Sequence, residues 1–314
     1  MPTCGSTAPI IWSATPTPFT ADMKVCKASV KRLVEHHVKL GVSGLFLLGT
    51  CGEGAFMTDR QRREMVEAVA KCNRGRLRLA VQVTDNSAAR ILDNMRWAKA
   101  LGAEIAVIAP PYYFDAARPG LLYELFAEAA AASPLPVGIY DRGTYGSVVV
   151  PDAMLKRLYA LPQVTLIKDS SSDPKRAKIA LAARRKRPEL LLLDGDEWLA
   201  DQYIGLGYDG LLLGGAAFNG HLAGLIARAV QSGDEAEGAR LQQRLKRLNW
   251  DVYGGRNLTC WLGGLKRLLV EMGIFATDRN LLGYTVTPSC ERAIARALGR
   301  EAEMLFPWQK ARRI

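Results

Sequence analysis

Short apolar runs alternate with amphipathic stretches along the first three quarters of the chain. The apolar runs show no polar alternation, which is typical of parallel strands covered on both faces. They lie at 8–14, 44–48, 77–83, 104–109, 136–140, 163–168, 189–194 and 210–214. Between them, apolar residues recur at helical spacing at 26–40, 58–72, 87–101, 119–132, 151–160, 174–186, 197–206 and 219–231. Strands that alternate with helices in this way predict an α/β fold, a (β/α)8 TIM barrel, over residues 1–232.

The pattern changes after this region. Residues 234–250, 258–272 and 290–303 show helical spacing with no strand between them. We therefore expect residues 233–314 to form a C-terminal helical extension that packs on the barrel. For the first part of the chain an open, doubly wound sheet is the alternative, but no G-x-G-x-x-G motif follows the first strand.

Composition excludes several other classes of protein. The chain has 314 residues, of which 49% are hydrophobic and 23% charged, as in ordinary globular proteins. No apolar run reaches the ~18 residues of a membrane-spanning helix. Met1–Pro9 lacks the basic and apolar regions of a secretory signal. Six cysteines without a C-x-x-C pair, and only three histidines, argue against a zinc site and favour reduced thiols in the cytoplasm.

The formal net charge of +11 raises the question of an anionic partner. The basic residues are scattered, apart from a cluster at 175–187 whose spacing suits the solvent-facing side of a helix. No basic motif interleaved with aromatic residues is present. We therefore expect neither nucleic acid nor a membrane as a partner, and interpret the charge as a basic surface that can attract small anionic substrates.

Barrel enzymes carry their sites on the loops that leave the C-terminal ends of the strands. Lys168 closes the sixth apolar run, so its amine is expected at the barrel mouth. A partly desolvated lysine loses proton affinity, and its neutral amine can attack a ketone to form a Schiff base. An ion pair with Asp169 or with a loop carboxylate is the alternative interpretation of Lys168.

Other strand ends also carry candidate groups. Tyr140 ends the fifth run, so it is expected beside Lys168, where its phenol could move protons or simply cap the core. Thr50 lies in a glycine-rich turn whose amides and hydroxyl suit a carboxylate, although such a turn can also be purely structural. Arg142 could hold a distal carboxylate or hydroxyls. For Glu53 we expect a structural role.

Several motifs in register resemble one enzyme family. They are Thr17-Pro18-Phe19, Gly49-Thr50-Cys51-Gly52-Glu53, Pro110-Pro111-Tyr112-Tyr113, Tyr140, Ile167-Lys168-Asp169-Ser170 and Gly195-Asp196. Together they are similar to the motifs of the dihydrodipicolinate synthase / N-acetylneuraminate lyase family of class I pyruvate-dependent aldolases. The resemblance covers nearly the whole chain, in the right order and at the right strand ends.

The resemblance implies a Schiff-base lyase on a barrel, usually a homotetramer, without a metal or an organic cofactor. Lys168 would form the imine with a 2-keto acid and Tyr140 would carry the proton. Thr50 would link Tyr140 to Tyr113, which the family often supplies from an adjacent subunit. The turn at 50–51 would hold the keto-acid carboxylate. We expect the substrate-binding residues to be Thr50, Cys51, Arg142, Gly195 and Gly214.

The chain departs from the family pattern at several positions. Cys51 replaces a threonine of the turn, and Asp141 replaces the usual asparagine. The loop 140–146 is a residue shorter than the family's and lacks its proline, so that Arg142 is displaced. Residues 82–85, Gln-Val-Thr-Asp, stand where Gly-Thr-Gly is usual.

The displacement of Arg142 argues against a role in lysine biosynthesis. The segment Gly-Glu-Gly-Ala-Phe at 52–56, together with Ile-Lys-Asp-Ser at 167–170, looks closer to the branch of 2-keto-3-deoxy sugar-acid aldolases and dehydratases. We therefore predict a lyase that acts on pyruvate or on 2-keto-3-deoxy sugar acids. The alternatives are a dehydratase that uses the same imine, or a 4-hydroxy-tetrahydrodipicolinate synthase. A non-enzymatic barrel is disfavoured because Lys168, Tyr140 and Thr50 are all present.

Overall fold

Eight parallel strands close into a barrel in the computed structural model, which describes residues 8–115, 118 and 120–312. Each strand pairs with its neighbours in chain order, and the last pairs with the first. The strands are Ile10–Ala14 (β1), Gly44–Leu47 (β2), Arg78–Gln82 (β3), Ile105–Ile108 (β4), Val137–Asp141 (β5), Val164–Asp169 (β6), Leu191–Asp194 (β7) and Gly210–Leu213 (β8). The predicted TIM barrel is therefore confirmed. Residues 1–7, which include Cys4 and most of the segment examined for a signal peptide, lie outside the described residues.

A helix follows each strand, as predicted. These helices are Lys27–Leu40 (α1), Asp59–Asn73 (α2), Ala88–Ala100 (α3), Gly120–Ala131 (α4), Asp152–Tyr159 (α5), Pro174–Lys186 (α6), Ala200–Gly205 (α7) and Ala216–Gln231 (α8). A capping box formed by Thr58 and Gln61 begins α2. The predicted start of α7 at residue 197 is wrong, because Asp196 turns the chain there by accepting a hydrogen bond from the amide of Trp198 (2.8 Å).

The barrel interior is filled by side chains from alternate strand positions. The members of this cluster include Trp12, Ala14, Phe46, Ala80, Val107, Tyr140, Leu166, Leu193 and Leu212. Trp12 fills the floor, and it requires glycine at position 44 because a side chain there would overlap the indole ring. Packing thus closes the barrel at this end. A cavity inside the barrel must therefore open at the C-terminal ends of the strands.

Within the described residues, four further α-helices follow the barrel, Glu235–Tyr253 (α9), Trp261–Glu271 (α10), Pro288–Arg300 (α11) and Ala302–Leu305 (α12), and a 3-10 helix at Pro307–Arg312 comes after them. Helix α9 runs along α8, and α10 and α11 pack on α9. A second hydrophobic cluster joins these helices, with Leu248, Leu265, Leu269 and Ile294 among its members. The helical part thus rests against the barrel's outer layer. None of the described helices is both long enough and apolar enough to span a bilayer.

Candidate active site

Lys168 and Tyr140 occupy paired positions on the adjacent strands β6 and β5. Both side chains point into the barrel, and only 4% of the Lys168 surface is exposed. The Lys168 Nζ lies 4.1 Å from the centre of the Tyr140 ring and 4.8 Å from that of Phe46. The amine is therefore held among aromatic faces at the barrel mouth. The sequence had no signal for Phe46 beyond its place in an apolar strand.

The alternative interpretation of Lys168, an ion pair with Asp169, is not what the structure shows. Asp169 faces the other side of the sheet, where it accepts hydrogen bonds from the Tyr208 hydroxyl (2.6 Å) and the Ser171 amide (2.9 Å). Burial raises the pKa of Asp169 above its ordinary value in spite of these bonds. Within the described part of the chain, the Lys168 amine contacts aromatic rings rather than a carboxylate.

Thr50 completes this group. Its Oγ1 lies 3.5 Å from the Tyr140 hydroxyl, a long contact that a bound ligand can shorten. Burial raises the pKa of Tyr140, but the positive charges of Lys168 and Arg142 outweigh burial. The pKa therefore lies below its ordinary value of 10.0. An amine, a phenol with a lowered pKa and a hydroxyl meet at one point, as proton transfer around a new carbon–nitrogen bond requires.

The loop after β5 is held in place by a buried ion pair. Asp141 is buried and forms an ion pair with Arg176 of α6 (2.7 Å), which also donates a hydrogen bond to the carbonyl of Val150 (2.5 Å). Arg176 thus ties both ends of the shortened loop together. The pair accounts for an aspartate where the family has asparagine, because a carboxylate neutralises the buried guanidinium. The expectation that the basic cluster 175–187 faces solvent is wrong at Arg176, which is 5% exposed.

A cavity of about 320 Å³ opens above Thr50. Its lining residues are Gly49, Thr50, Glu53, Ala55, Phe56, Gln82, Ala109, Pro110, Tyr112, Arg142, Gly146 and Ser147. Arg142 therefore lies at the mouth, where the sequence placed it. Gln82 had been noted only as a departure from the family pattern, and its place on the cavity wall is new.

The neighbouring residues Tyr112 and Tyr113 differ in their position relative to this cavity. Tyr112 lines it, and its hydroxyl accepts a hydrogen bond from Gln82 Nε2 (3.1 Å). Tyr113 does not line it and is 70% exposed. Within one chain, the structure thus brings Tyr140, Lys168 and Thr50 together but leaves Tyr113 apart from them.

Cys51 lies under the turn that follows β8. A side chain at Gly214 would come within 2.8 Å of the Cys51 sulfur and 3.0 Å of Glu197 Oε1, so glycine makes room for both groups. Burial raises the pKa of the Cys51 thiol to about 12. The thiol is therefore neutral and inert, and Gly214 shapes the site through Cys51 rather than by lining the cavity.

Gly195, the other glycine predicted to bind substrate, is also outside the cavity lining. Its amide donates a hydrogen bond to the carbonyl of Asp169 (2.6 Å), and a side chain there would overlap the Ser170 hydroxyl. Gly195 thus allows the loops after β6 and β7 to approach closely. Its visible effect is on the shape of these loops.

Two acids near the site, the half-buried Glu197 and the buried Glu53, have partners that the sequence does not indicate. Glu197 accepts hydrogen bonds from the amide of Gly215 (3.0 Å), from Asn249 (3.0 Å) and from the Tyr253 hydroxyl (3.1 Å). Glu53 forms an ion pair with Lys266 of α10, and both side chains are fully buried. A structural role for Glu53 was expected, but nothing in the local sequence indicates partners that lie so far along the chain.

Comparison with known proteins shows the family of this chain and agrees with its fold. The family model described as the Dihydrodipicolinate synthetase family matches residues 9–285. The 4-hydroxy-tetrahydrodipicolinate synthase of Phenylobacterium zucineum is 32% identical over 266 residues, which cover 85% of this chain and 87% of that protein. The 4-hydroxy-tetrahydrodipicolinate synthase of Methylococcus capsulatus is 28% identical, and the match covers 92% of this chain and 97% of that protein. The structure of dihydrodipicolinate synthase from Bacteroides thetaiotaomicron superposes with a TM-score of 0.84 at 28% identity, covering 93% of this chain and 98% of that one.

Proposed function

Because this chain belongs to the dihydrodipicolinate synthetase family, a family of class I aldolases, we propose that it is a lyase that joins Lys168 to a 2-keto acid through a Schiff base. The substrate is pyruvate or a 2-keto-3-deoxy sugar acid. The observation that carries this proposal is the position of the Lys168 amine, which lies 4.1 Å from the centre of the Tyr140 ring and forms no ion pair with a carboxylate of the described residues.

The reaction begins when the amine of Lys168, after it has given up its proton, attacks the keto carbon and gives a carbinolamine. Tyr140 passes a proton to the departing hydroxyl, water leaves, and the imine remains. In a 2-keto-3-deoxy acid the protonated imine accepts the electron pair of the C3–C4 bond as the Tyr140 phenolate takes the proton of the C4 hydroxyl. An aldehyde departs and the enamine of pyruvate remains, which takes up a proton at C3 and is hydrolysed.

The remaining site residues support binding and proton transfer. Thr50 is within reach of the Tyr140 hydroxyl, and the turn at Thr50 and Cys51 is where the keto-acid carboxylate would be held. Arg142, on the cavity wall, suits a second carboxylate or hydroxyls further along the substrate. Gly195 and Gly214 act by allowing the loops around the site to pack closely.

Tyr113 enters the site only in an assembly. Its exposure on the rim, beside the cavity but outside its lining, supports a role across a subunit boundary. We therefore propose a homotetramer in which the partner subunit's Tyr113 extends the relay from Tyr140 through Thr50. Analytical ultracentrifugation of the wild type and of Tyr113→Ala tests the assembly, and turnover of Tyr113→Phe tests the relay.

A second candidate function is 4-hydroxy-tetrahydrodipicolinate synthase, which the names of the relatives favour. Against it stands the short loop fastened by Asp141 and Arg176, which displaces Arg142 from the position that the synthases use. A dehydratase using the same imine is the third candidate. Product analysis separates the three, because they yield pyruvate with an aldehyde, a condensation product of aspartate semialdehyde, or a dehydrated keto acid.

Borohydride trapping with pyruvate tests the proposal directly. Reduction of the imine would leave a pyruvyl group on Lys168, which intact and peptide mass spectrometry can locate. The same treatment of Lys168→Ala is the control. A folded wild-type protein that yields no adduct with pyruvate or with any longer 2-keto acid would overturn the Schiff-base mechanism.

A further inference from the structure

Gln82 is a polar group inside the barrel that the proposed reaction does not use. It ends β3, opposite Val107 of β4, and 5% of its surface is exposed. It lines the cavity on the side of Tyr112. The chain has Gln-Val-Thr-Asp at 82–85 where the resemblance to the family leads us to expect Gly-Thr-Gly.

The other polar residues of this segment are occupied elsewhere. The hydroxyl of Thr84 accepts a hydrogen bond from the amide of Ala109 (2.8 Å). The carboxylate of Asp85 is bound by Arg90 (2.7 Å) and Asn94 (3.3 Å). Both fix the loop, and neither lines the cavity. Only Gln82 of this segment can meet a ligand.

The hydrogen bonds of the Gln82 amide are incomplete. Its Nε2 donates to the Tyr112 hydroxyl, whereas its Oε1 is buried and finds no partner among the residues that the structure describes. A buried carbonyl oxygen without a donor costs free energy that a new donor would recover. The missing partner is therefore a hydrogen-bond donor.

The rest of the cavity limits what this donor can be. Ala55, Phe56 and Pro110 form apolar walls, and Arg142 supplies a positive charge. A carbonyl oxygen accepts equally from a hydroxyl or from an ammonium group. The guanidinium of Arg142 repels an ammonium group in the same cavity, which leaves a neutral hydroxyl as the better donor.

We infer that Gln82, oriented by Tyr112, selects 2-keto acids that carry a hydroxyl group on the chain beyond the imine carbon. This inference rests on the proposed function, because Lys168 must anchor the keto carbon for the hydroxyl to reach Gln82. 2-Keto acids that carry such a hydroxyl group are then the preferred substrates. Gln82 is a specificity residue and takes no part in bond making.

A competition experiment tests this inference on the intact protein. Equimolar 2-keto-3-deoxygluconate and 2-oxohexanoate, which have the same number of carbon atoms, are offered together and trapped with borohydride. Mass spectrometry separates the adducts, and a pyruvyl adduct can only come from cleavage of the hydroxylated acid. The variants are Gln82→Leu and Gln82→Met, with Gln243→Leu on the exposed side of α9 as the matched control.

We expect the wild type and Gln243→Leu to favour the hydroxylated acid by about tenfold or more. In both Gln82 variants the ratio of adducts from the hydroxylated acid to adducts from 2-oxohexanoate should fall close to one. Trapping of pyruvate alone should stay within about twofold of the wild type. Pyruvate trapping in each variant also reports that the site is folded. If the Gln82 variants still trap pyruvate and keep the adduct ratio of the wild type, the proposed role of Gln82 is overturned.

The two proposals fail in different ways. A wild type that traps pyruvate but shows no preference for the hydroxylated acid overturns the inference on Gln82 and leaves the Schiff-base proposal standing. A wild type that traps neither pyruvate nor either longer acid overturns the Schiff-base proposal, and the inference falls with it. A preference for 2-oxohexanoate would assign the cavity to apolar chains.

Discussion

Glu53, in the turn after β2, forms an ion pair with Lys266 of the C-terminal helix α10, and neither side chain has any exposed surface. Lys266 also donates a hydrogen bond to the carbonyl of Arg279 (2.8 Å). Glu53 follows Thr50 and Cys51 by only a few residues, so the turn proposed to hold the substrate carboxylate is anchored by the helical extension. The C-terminal helices thus complete the site as well as cover the barrel.

Replacement of Lys266 alone should lower the free energy of unfolding. Lys266→Met would leave the Glu53 carboxylate buried without a counter-charge, so we expect about 3–5 kcal/mol lower free energy of unfolding. The double variant Glu53→Gln/Lys266→Met removes both charges and should lose distinctly less. Urea unfolding of the wild type, both single variants and the double variant measures this coupling. Equal losses in the Lys266 single variant and the double variant would contradict it.

Lys168→Ala should abolish both turnover and the borohydride adduct, because the nucleophile is gone. The loss should exceed about 10³-fold in the turnover number. Circular dichroism and thermal unfolding should stay close to those of the wild type. Substantial turnover by the purified variant would rule out the imine mechanism.

Tyr140→Phe should leave the barrel intact and slow turnover by about 10²–10⁴-fold, the usual contribution of a positioned acid or base. The pKa of this phenol lies below 10.0 because of Lys168 and Arg142. The phenol therefore loses its proton as the pH rises, and the wild-type turnover number should fall on the alkaline side below pH 10. That alkaline limb should disappear in Tyr140→Phe. A variant with the same limb and the same rate would remove Tyr140 from the proton path.

Substitutions at Gly214 and Cys51 should have non-additive effects on stability and on pyruvate trapping. Gly214→Ala places a methyl group 2.8 Å from the Cys51 sulfur, which we expect to cost about 1–3 kcal/mol of stability and to weaken pyruvate trapping. Cys51→Ala in the same chain removes that contact and should restore part of both losses. Additive losses in the double variant, measured by urea unfolding and adduct yield, would show that the two positions act independently.

The barrel and the centre of the site could be predicted because each depends on local pattern. The apolar runs give the strands, and neighbouring parallel strands place their ends together, which brings Tyr140 beside Lys168. Glu53 and Lys266 are separated by 213 positions, and no local pattern indicates such a contact. Arg176 belongs to a run of basic residues, and spacing alone could not show that Asp141 draws it inward.

The stability of the fold should fall with acidity because of two buried histidines. His37 of α1 contacts the carbonyl of Leu33 (2.8 Å) and the hydroxyl of Ser13 (2.9 Å), and His36 beside it contacts the carbonyl of Ala217 (3.0 Å). Burial lowers the pKa of His36 from 6.5 to about 3 and that of His37 to about 4. In the unfolded chain both bind a proton near pH 6.5. Their contribution to stability is therefore present above that pH and is lost as the pH falls toward the folded values.

At about pH 5 each histidine should cost about 2 kcal/mol of the unfolding free energy relative to neutral pH. His37→Gln keeps a hydrogen-bonding side chain but cannot take up a proton, so its unfolding free energy should fall less steeply between about pH 6.5 and 5. His221→Gln, at a less buried position, is the control and should change the slope less. Urea unfolding at a series of pH values measures these slopes. If His37→Gln and the wild type show the same slope, the buried histidines do not account for the acid sensitivity, and the carboxylates around the barrel mouth must be examined instead.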